Sequence, residues 1–149
     1  MSMKIIMILS SVIFCNIISA QTTNKIIGKW QAETKTLTSM NLDTYQFDNK
    51  GFFIFSPNGY NGLNRIISIC GNFSIKGDTI YFIPKFTNEI SGGDIIRSES
   101  TTLSDTWEII NGKSIKKYGL KKIKQAANIK IYSDSNYFIL DERKYFKVD

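Results

Sequence analysis

Apolar and polar residues alternate with a period of two along most of this chain, and this pattern constrains the fold more than any other feature. From Ile27 onward, no window carries the apolar stripe of a surface helix, which recurs every 3.6 residues. The chain contains only two prolines, Pro57 and Pro84, so long unbroken strands are allowed. The sequence therefore predicts a protein that is nearly all β.

Two hairpins are predicted from turn residues between alternating segments. The stretch TYQFDNKGFFIF is expected to turn at residues 48–51, where Gly51 adopts a positive φ at little cost. The stretch GNFSIKGDTIYFIPKF is expected to turn at residues 76–78. The two arms of this second hairpin alternate so that four apolar residues share one face: Phe73, Ile75, Ile80 and Phe82.

Two further predictions concern the middle of the chain. Residues 87–94, TNEISGGD, are expected to form its longest loop. Asn111-Gly112 is a strong hairpin signal, and it predicts that TTLSDTWEII and KSIKKYGLKK pair with each other. Strands joined mostly to their neighbours by tight turns form a meander. We therefore predict a single up-and-down antiparallel β-barrel of about eight to ten strands, because closure removes exposed edges.

The first twenty residues have the form of a secretory signal peptide. Lys4 precedes an apolar run from Ile5 to Ile18, and small residues follow at Ser19-Ala20. The run is shorter than the ~20 residues that usually span a bilayer, which disfavours an uncleaved anchor. Lipidation of Cys15 would require a small residue directly before it, and that position is occupied by Phe14. We predict export to the periplasm or the extracellular space, cleavage near Ala20 and a single domain over residues 21–149.

Several classes of enzyme are disfavoured by the composition. The chain has no histidine, the usual side chain for proton transfer near neutral pH. Cys70 therefore has no histidine to activate it. Because it is the only cysteine after residue 20, it also has no disulfide partner there. The sequence shows no G-x-S-x-G motif, zinc ligand pattern or calcium loop. We predict a protein without catalytic residues, cofactor or metal.

The start of the first predicted strand resembles a known family signature. Gly28-Lys29-Trp30 resembles the G-x-W motif of lipocalins and the wider calycin group, and the later stretches YQFDNKGFF, GNFSIKGDTIYF and WEIINGKSI are similar to small lipocalin-like domains exported by bacteria. The resemblance implies a lipocalin-like barrel in which Gly28 and Trp30 close one end. It also implies an arginine of the last strand stacked on Trp30, and Arg143 is the only arginine near the C-terminus.

A second resemblance is weaker. ERKYFKV at residues 142–148 is similar to the closing strand of fatty-acid-binding proteins, with its R-x-Y pattern. Those proteins carry a helical pair between their first two strands, and the linker after the first strand of this chain is too short to hold one.

The lipocalin resemblance implies binding of a small apolar or amphiphilic ligand. The residues predicted to line the site are Arg143, Tyr145, Phe55, Phe82 and Trp107. Arg143 and Tyr145 lie two apart on one strand and would hold a ligand carboxylate, with Arg65 or Arg97 as alternatives. Two other outcomes stay open: the aromatic rings simply fill the interior, or Arg143 covers Trp30 instead of a ligand.

A run of lysines suggests an alternative function. No acidic residue occurs between Ile109 and Ser133, and six lysines there form a candidate partner surface: Lys113, Lys116, Lys117, Lys121, Lys122 and Lys124. Such a surface suits an anionic macromolecule or envelope surface, as in an inhibitor or immunity-type protein. It also suits a solvated sheet edge that lysines protect from aggregation. Nucleic acid is not favoured, because arginines and interleaved aromatic residues are lacking.

Overall fold

The computed structural model describes residues 24–35, 42–98, 106–119 and 124–148. Within these ranges the chain forms eleven strands: Gly28–Ala32 (β1), Thr44–Phe47 (β2), Phe52–Ser56 (β3), Ile66–Lys76 (β4), Thr79–Ser91 (β5), Asp94–Ser98 (β6), Thr106–Ile110 (β7), Lys113–Tyr118 (β8), Gln125–Tyr132 (β9), Tyr137–Leu140 (β10) and Arg143–Val148 (β11). A short 3-10 helix, Ser133–Ser135, links β9 to β10. The predicted signal peptide, including Cys15, lies outside the described residues.

Eight of the strands close into an antiparallel barrel, which confirms the predicted fold. Strands β1 to β5 pair in sequence order, β9 to β11 do the same, and β11 returns to pair with β1. The barrel closes where the first part of β5 pairs with β9, from Thr79 opposite Asn128 to Phe82 opposite Gln125. Strand β8 is an extra strand on the second part of β5, and β6 and β7 form a separate two-stranded sheet.

The first two predicted hairpins are confirmed. At the β2–β3 turn, Asp48 Oδ1 accepts hydrogen bonds from the backbone N–H of Lys50 and of Phe52, both at 2.8 Å, and Gly51 has a φ of 75°. In the β4–β5 hairpin the predicted apolar residues lie opposite one another in pairs and are buried: Phe73 with Phe82, and Ile75 with Ile80. Local turn chemistry and the period of two were sufficient here.

The predicted loop over residues 87–94 is wrong. Strand β5 continues to Ser91, and the connection to β6 is Gly92-Gly93, in which both glycines have positive φ. The polar residues that suggested a loop are hydrogen-bonded within the sheet instead. Thr87 donates to Glu89 Oε1 at 2.6 Å, and Asn88 donates to Ser68 Oγ on β4 at 2.7 Å.

The predicted hairpin at Asn111-Gly112 is also wrong. Strand β7 pairs with β6, and β8 pairs with β5, so the two flanking segments do not pair with each other. A two-residue type I′ turn needs a positive φ at both central residues, whereas only Asn111 has one, at 58°. Glycine is required at 112 for a different reason: a Cβ there would overlap Cγ2 of Ile90 on β5.

Aromatic rings pack against one another across the barrel interior. Phe138 contacts Trp30 edge-on with ring centroids 5.0 Å apart, and it also stacks on Tyr145 at 5.0 Å. Phe82 lies 4.9 Å from Phe53 and 6.4 Å from Phe47. These contacts favour the alternative in which the rings fill the interior.

Candidate functional site

Arg143 lies at the start of β11, at the end of the barrel opposite Gly28, and is held by two carboxylates. Its Nη1 donates to Asp43 Oδ2, and its Nη2 donates to Glu33 Oε1 at 2.8 Å. Asp43 is only 5% exposed. The other oxygen of Asp43 accepts from the backbone N–H and the side-chain amide of Asn58, at 2.6 and 3.2 Å. Both oxygens of this buried carboxylate are therefore satisfied by the chain itself.

Two tyrosines lie directly beneath this ion pair. Burial raises the pKa of Tyr45 well above its ordinary range, and the neighbouring Tyr145 and Asp43 add to the effect. Burial also raises the pKa of Tyr145, against the opposing effect of Arg143. The pKa of Arg143 is itself raised, because its hydrogen bond to Glu33 and the charge of Asp43 outweigh the effect of burial. Near neutral pH both phenols therefore stay protonated and Arg143 stays cationic.

Four of the five predicted ligand residues surround this polar end. The guanidinium of Arg143 lies 5.8 Å from the ring of Tyr145. The rings of Phe55 and Phe82 lie 4.7 and 5.6 Å from the ring of Tyr45. Trp107 is not among them: it belongs to β7, pairs with Arg97 on β6 and is 50% exposed.

Sequence reasoning missed Asp43 and Tyr45, although a usable signal was present. Asp43, Tyr45 and buried Phe47 are at alternate positions, so the period of two along β2 directs all three toward the interior.

The presence of Asp43 changes what Arg143 can do. Its two terminal nitrogens already donate to Asp43 and Glu33, so carboxylates of the chain balance the charge that a ligand carboxylate would need. The alternative anchor Arg65 is also engaged, donating to the carbonyls of Ile90 and Gly92 at 3.2 and 2.7 Å.

At the opposite end of the barrel, Gly28 and Trp30 lie where β1 begins. Gly28 has a φ of 125°, which a residue with a Cβ rarely adopts. Trp30 is 1% exposed, and its Nε1 donates to the carbonyl of Ile26 at 2.7 Å. The cation over its ring is Lys147, with Nζ 5.7 Å from the centroid, and not Arg143 as predicted. The register explains the difference, because Trp30 is directly opposite Lys147 across β1 and β11.

Three of the six predicted surface lysines lie together on β8. Every residue of this strand is exposed, and within the described part of the chain β8 pairs only with β5. Lys116 Nζ lies 3.9 Å from the ring centroid of Phe86, and Lys117 Nζ lies 3.4 Å from Glu89 Oε2. The hydrogen bond from Thr87, followed by that from Lys117, lowers the pKa of Glu89 despite the opposing effect of burial. The carboxylate next to Lys117 is therefore ionised at neutral pH.

Of the other three lysines, the structure describes only Lys124, which does not belong to β8. Lys124 precedes β9, and its Nζ lies 3.8 Å from the ring of Tyr81 on β5. Lys121 and Lys122 lie outside the described residues. The lysine edge is therefore defined here as β8 with Lys113, Lys116 and Lys117, which sequence spacing alone could not separate from Lys124.

A groove of about 630 Å³ lies along the outside of β9 and β10. None of the predicted ligand residues lines it. Its wall includes Ile139, Tyr132 and Lys130, and three carboxylates border it: Asp78, Asp141 and Glu142. Asp141 is already engaged, since its Oδ1 accepts from the backbone N–H of Asn128 at 2.9 Å. The volume lies within the range of small-molecule sites, and its lining is mixed in polarity.

Among residues 24–35, 42–98, 106–119 and 124–148, no three Cys, Asp or Glu side chains are grouped so that they could hold a metal ion. No helix in those ranges has the length and apolar character needed to cross a bilayer.

Comparison with known proteins gave no relative for this chain. No protein-family model matches it, and neither a curated protein nor a solved structure shows significant similarity. The barrel is therefore established by the structure, while membership of the lipocalin group stays a prediction from the G-x-W residues.

Proposed function

We propose that this protein is an exported, non-catalytic binding protein that contacts an anionic macromolecular partner through the lysine edge. The observation that carries the proposal is the placement of β8: a fully exposed strand at the border of the sheet that bears three lysines in six residues. The sequence from Ile109 to Ser133 contains no acid, and Glu89, which pairs with Lys117, belongs to β5. A local cluster of one sign attracts an oppositely charged partner and speeds its encounter.

Exposed apolar side chains next to the lysines favour a binding surface over a merely solvated edge. Tyr118 and Ile115 on β8 are 68% and 43% exposed. The β6–β7 hairpin, joined to β8 through Asn111-Gly112, exposes Ile95 and Trp107 as well. Lysines that only protect an edge need no such neighbours, whereas tyrosine and tryptophan are enriched where proteins meet.

The proposal that the protein is non-catalytic is supported by the chemistry of the polar end. The chain has no histidine, and the two buried tyrosines stay protonated near neutral pH because their pKa values are raised. The guanidinium of Arg143 is engaged by Asp43 and Glu33. These groups stabilise the end of the barrel and offer no free base for general catalysis.

Removing the charge of the lysine edge tests the proposal. The variant K113Q/K116Q/K117Q is expected to bind a polyglutamate probe about tenfold more weakly at low salt, since three exposed ion pairs together contribute roughly 1–3 kcal/mol. The matched control K29Q/K50Q/K76Q removes the same charge from exposed lysines away from β8 and should change affinity less than threefold. Titration calorimetry at two salt concentrations measures both. Equal losses in the two variants would mean that only net charge matters.

A small amphiphilic ligand is a second candidate partner, and the outer groove favours it. We propose that Ile139 and Tyr132 would contact the apolar part, while Asp78 and Glu142 would face a cationic head group. Native mass spectrometry of protein purified from its own envelope should then show a bound small molecule. I139E should lose the adduct, whereas I83E, at an exposed position on β5, should keep it. A protein that carries no adduct in either form contradicts this candidate.

A further inference from the structure

We infer that the partner segment recognised by the lysine edge is an acidic, extended stretch of polypeptide that adds to β8 as an antiparallel strand. The inference rests on the proposed function and specifies its partner. Strand β8 uses one border to pair with β5, from Lys113 opposite Ser91 to Tyr118 opposite Phe86. Within the described residues no strand pairs with its other border. The backbone N–H and C=O groups of such a border are available to an incoming strand.

Alternation along β8 defines two faces that an added strand would meet. Lys113, Ile115 and Lys117 point to one side of the sheet, whereas Ser114, Lys116 and Tyr118 point to the other. Each face therefore offers both a cation and an apolar group. An added strand that carries both acidic and apolar residues on each of its own faces, in the matching order, satisfies both faces of β8 at once.

The pairing already present with β5 shows which neighbours these side chains accept. Glu89 lies opposite Ile115 and reaches diagonally to Lys117, where its Oε2 is 3.4 Å from Nζ. Phe86 lies opposite Tyr118, with ring centroids 5.7 Å apart. On the border paired with β5, a carboxylate therefore lies beside Lys117 and an aromatic ring lies beside Tyr118. By the same chemistry, the strand that best fits the other border of β8 is acidic and carries one aromatic residue.

A second copy of this chain is a poorer occupant of the same border. Antiparallel pairing of two β8 strands would bring the three lysines of each copy into one strand pair, and β8 itself contributes no acid. Like charges on neighbouring strands destabilise a sheet. Charge complementarity therefore favours a foreign acidic segment.

The probe is a capped peptide, Phe-Glu-Glu-Val-Thr-Glu. In antiparallel pairing, its first residue lies opposite Tyr118 and its last residue lies opposite Lys113. In an antiparallel pair, only alternate residues of the added strand direct their N–H groups toward β8. Two derivatives are therefore made, each N-methylated at one of the two alternating sets of residues. Strand addition predicts that one derivative binds at least tenfold more weakly than the parent, while the other binds within threefold. A peptide with lysine in place of glutamate should not bind.

The outcomes separate this inference from the proposed function. If both methylated derivatives bind as the parent does, and K113Q/K116Q/K117Q still weakens the parent, strand addition is wrong and the charged surface stands. If the triple variant binds the parent unchanged, the proposed function is wrong too. If the parent does not bind, or if the protein forms dimers that strengthen when the three lysines become glutamine, the acidic-strand inference is overturned. Fluorescence anisotropy and analytical ultracentrifugation provide these measurements.

Discussion

Replacing Trp30 by alanine is expected to lower the free energy of unfolding by about 3–5 kcal/mol, the usual range for removing a buried tryptophan. The indole is 1% exposed and packs edge-on against Phe138 at 5.0 Å. The substitution also removes the hydrogen bond from Nε1 to the carbonyl of Ile26, which would be left buried. Urea denaturation followed by circular dichroism measures the change.

The second tryptophan provides the control for this prediction. Trp107 lies on β7 and is 50% exposed, so Trp107→Ala should change the free energy of unfolding by less than about 1 kcal/mol. A Trp30 variant as stable as the Trp107 variant would show that Trp30 does not hold the barrel together. The variant W107A also tests the proposed function. If the β6–β7 hairpin contributes to partner binding, this stable variant should bind more weakly.

The second large effect is expected at the opposite end of the barrel. Arg143→Met should lower the free energy of unfolding by about 2–4 kcal/mol, because Asp43 would be left buried without its cation. This range lies below that for a fully buried pair, since the arginine side chain is 37% exposed and water screens it in part. Chemical denaturation near pH 7 measures the loss.

A double substitution distinguishes the ion pair from simple loss of packing. In D43N/R143M no uncompensated buried charge is left at this end, since Glu33 is exposed, so the double variant should be more stable than R143M alone. Breaking the exposed pair between Lys117 and Glu89 by Lys117→Met should cost less than about 1 kcal/mol. If R143M were as stable as the natural protein, the guanidinium would be free for another role, including the predicted one of ligand anchor.

Together these two predictions assign the barrel ends to stability and leave the outer surface for binding. Trp30 with Ile26 occupies one end, and the Asp43–Arg143 pair above Tyr45 and Tyr145 occupies the other. Between them the aromatic core is continuous through Phe138 and Phe82. The lysine edge and the groove on β9 and β10 both belong to that outer surface.

Much of the barrel could be predicted from sequence because the determining interactions are local. Asp48 and Gly51 shape the β2–β3 turn through contacts within five residues, and the alternation on β4 and β5 sets their register. The predictions that failed concern positions whose structural partners lie far away in the sequence. Asn111-Gly112 carries a hairpin signal, but β8 pairs with β5 and not with β7, and Gly112 leaves the space that Cγ2 of Ile90 occupies.

The candidate sites divide in the same way. The lysines of β8 are visible as a charge run, and Trp30 is visible from its motif. The cation over Trp30 was assigned wrongly because sequence gives no register between β1 and β11. The structure places Lys147 opposite the indole, while Arg143 lies at the far end of its strand beside Asp43. The separation in sequence between Arg143 and Asp43, 100 residues, is beyond any local rule.

The sequence by itself indicated an antiparallel β-barrel, because a period of two with few prolines favours strands, and strands joined to their neighbours by tight turns form a meander whose edges closure removes. It also determined that the chain has no histidine, the usual side chain for proton transfer near neutral pH. Only the tertiary structure decided that aromatic rings pack against one another across the interior, that Arg143 is held by Asp43 and Glu33, and that β8 borders the sheet in the described part of the chain. These outcomes depend on which strands meet at the points of closure, and closure is set by packing between residues far apart in the chain.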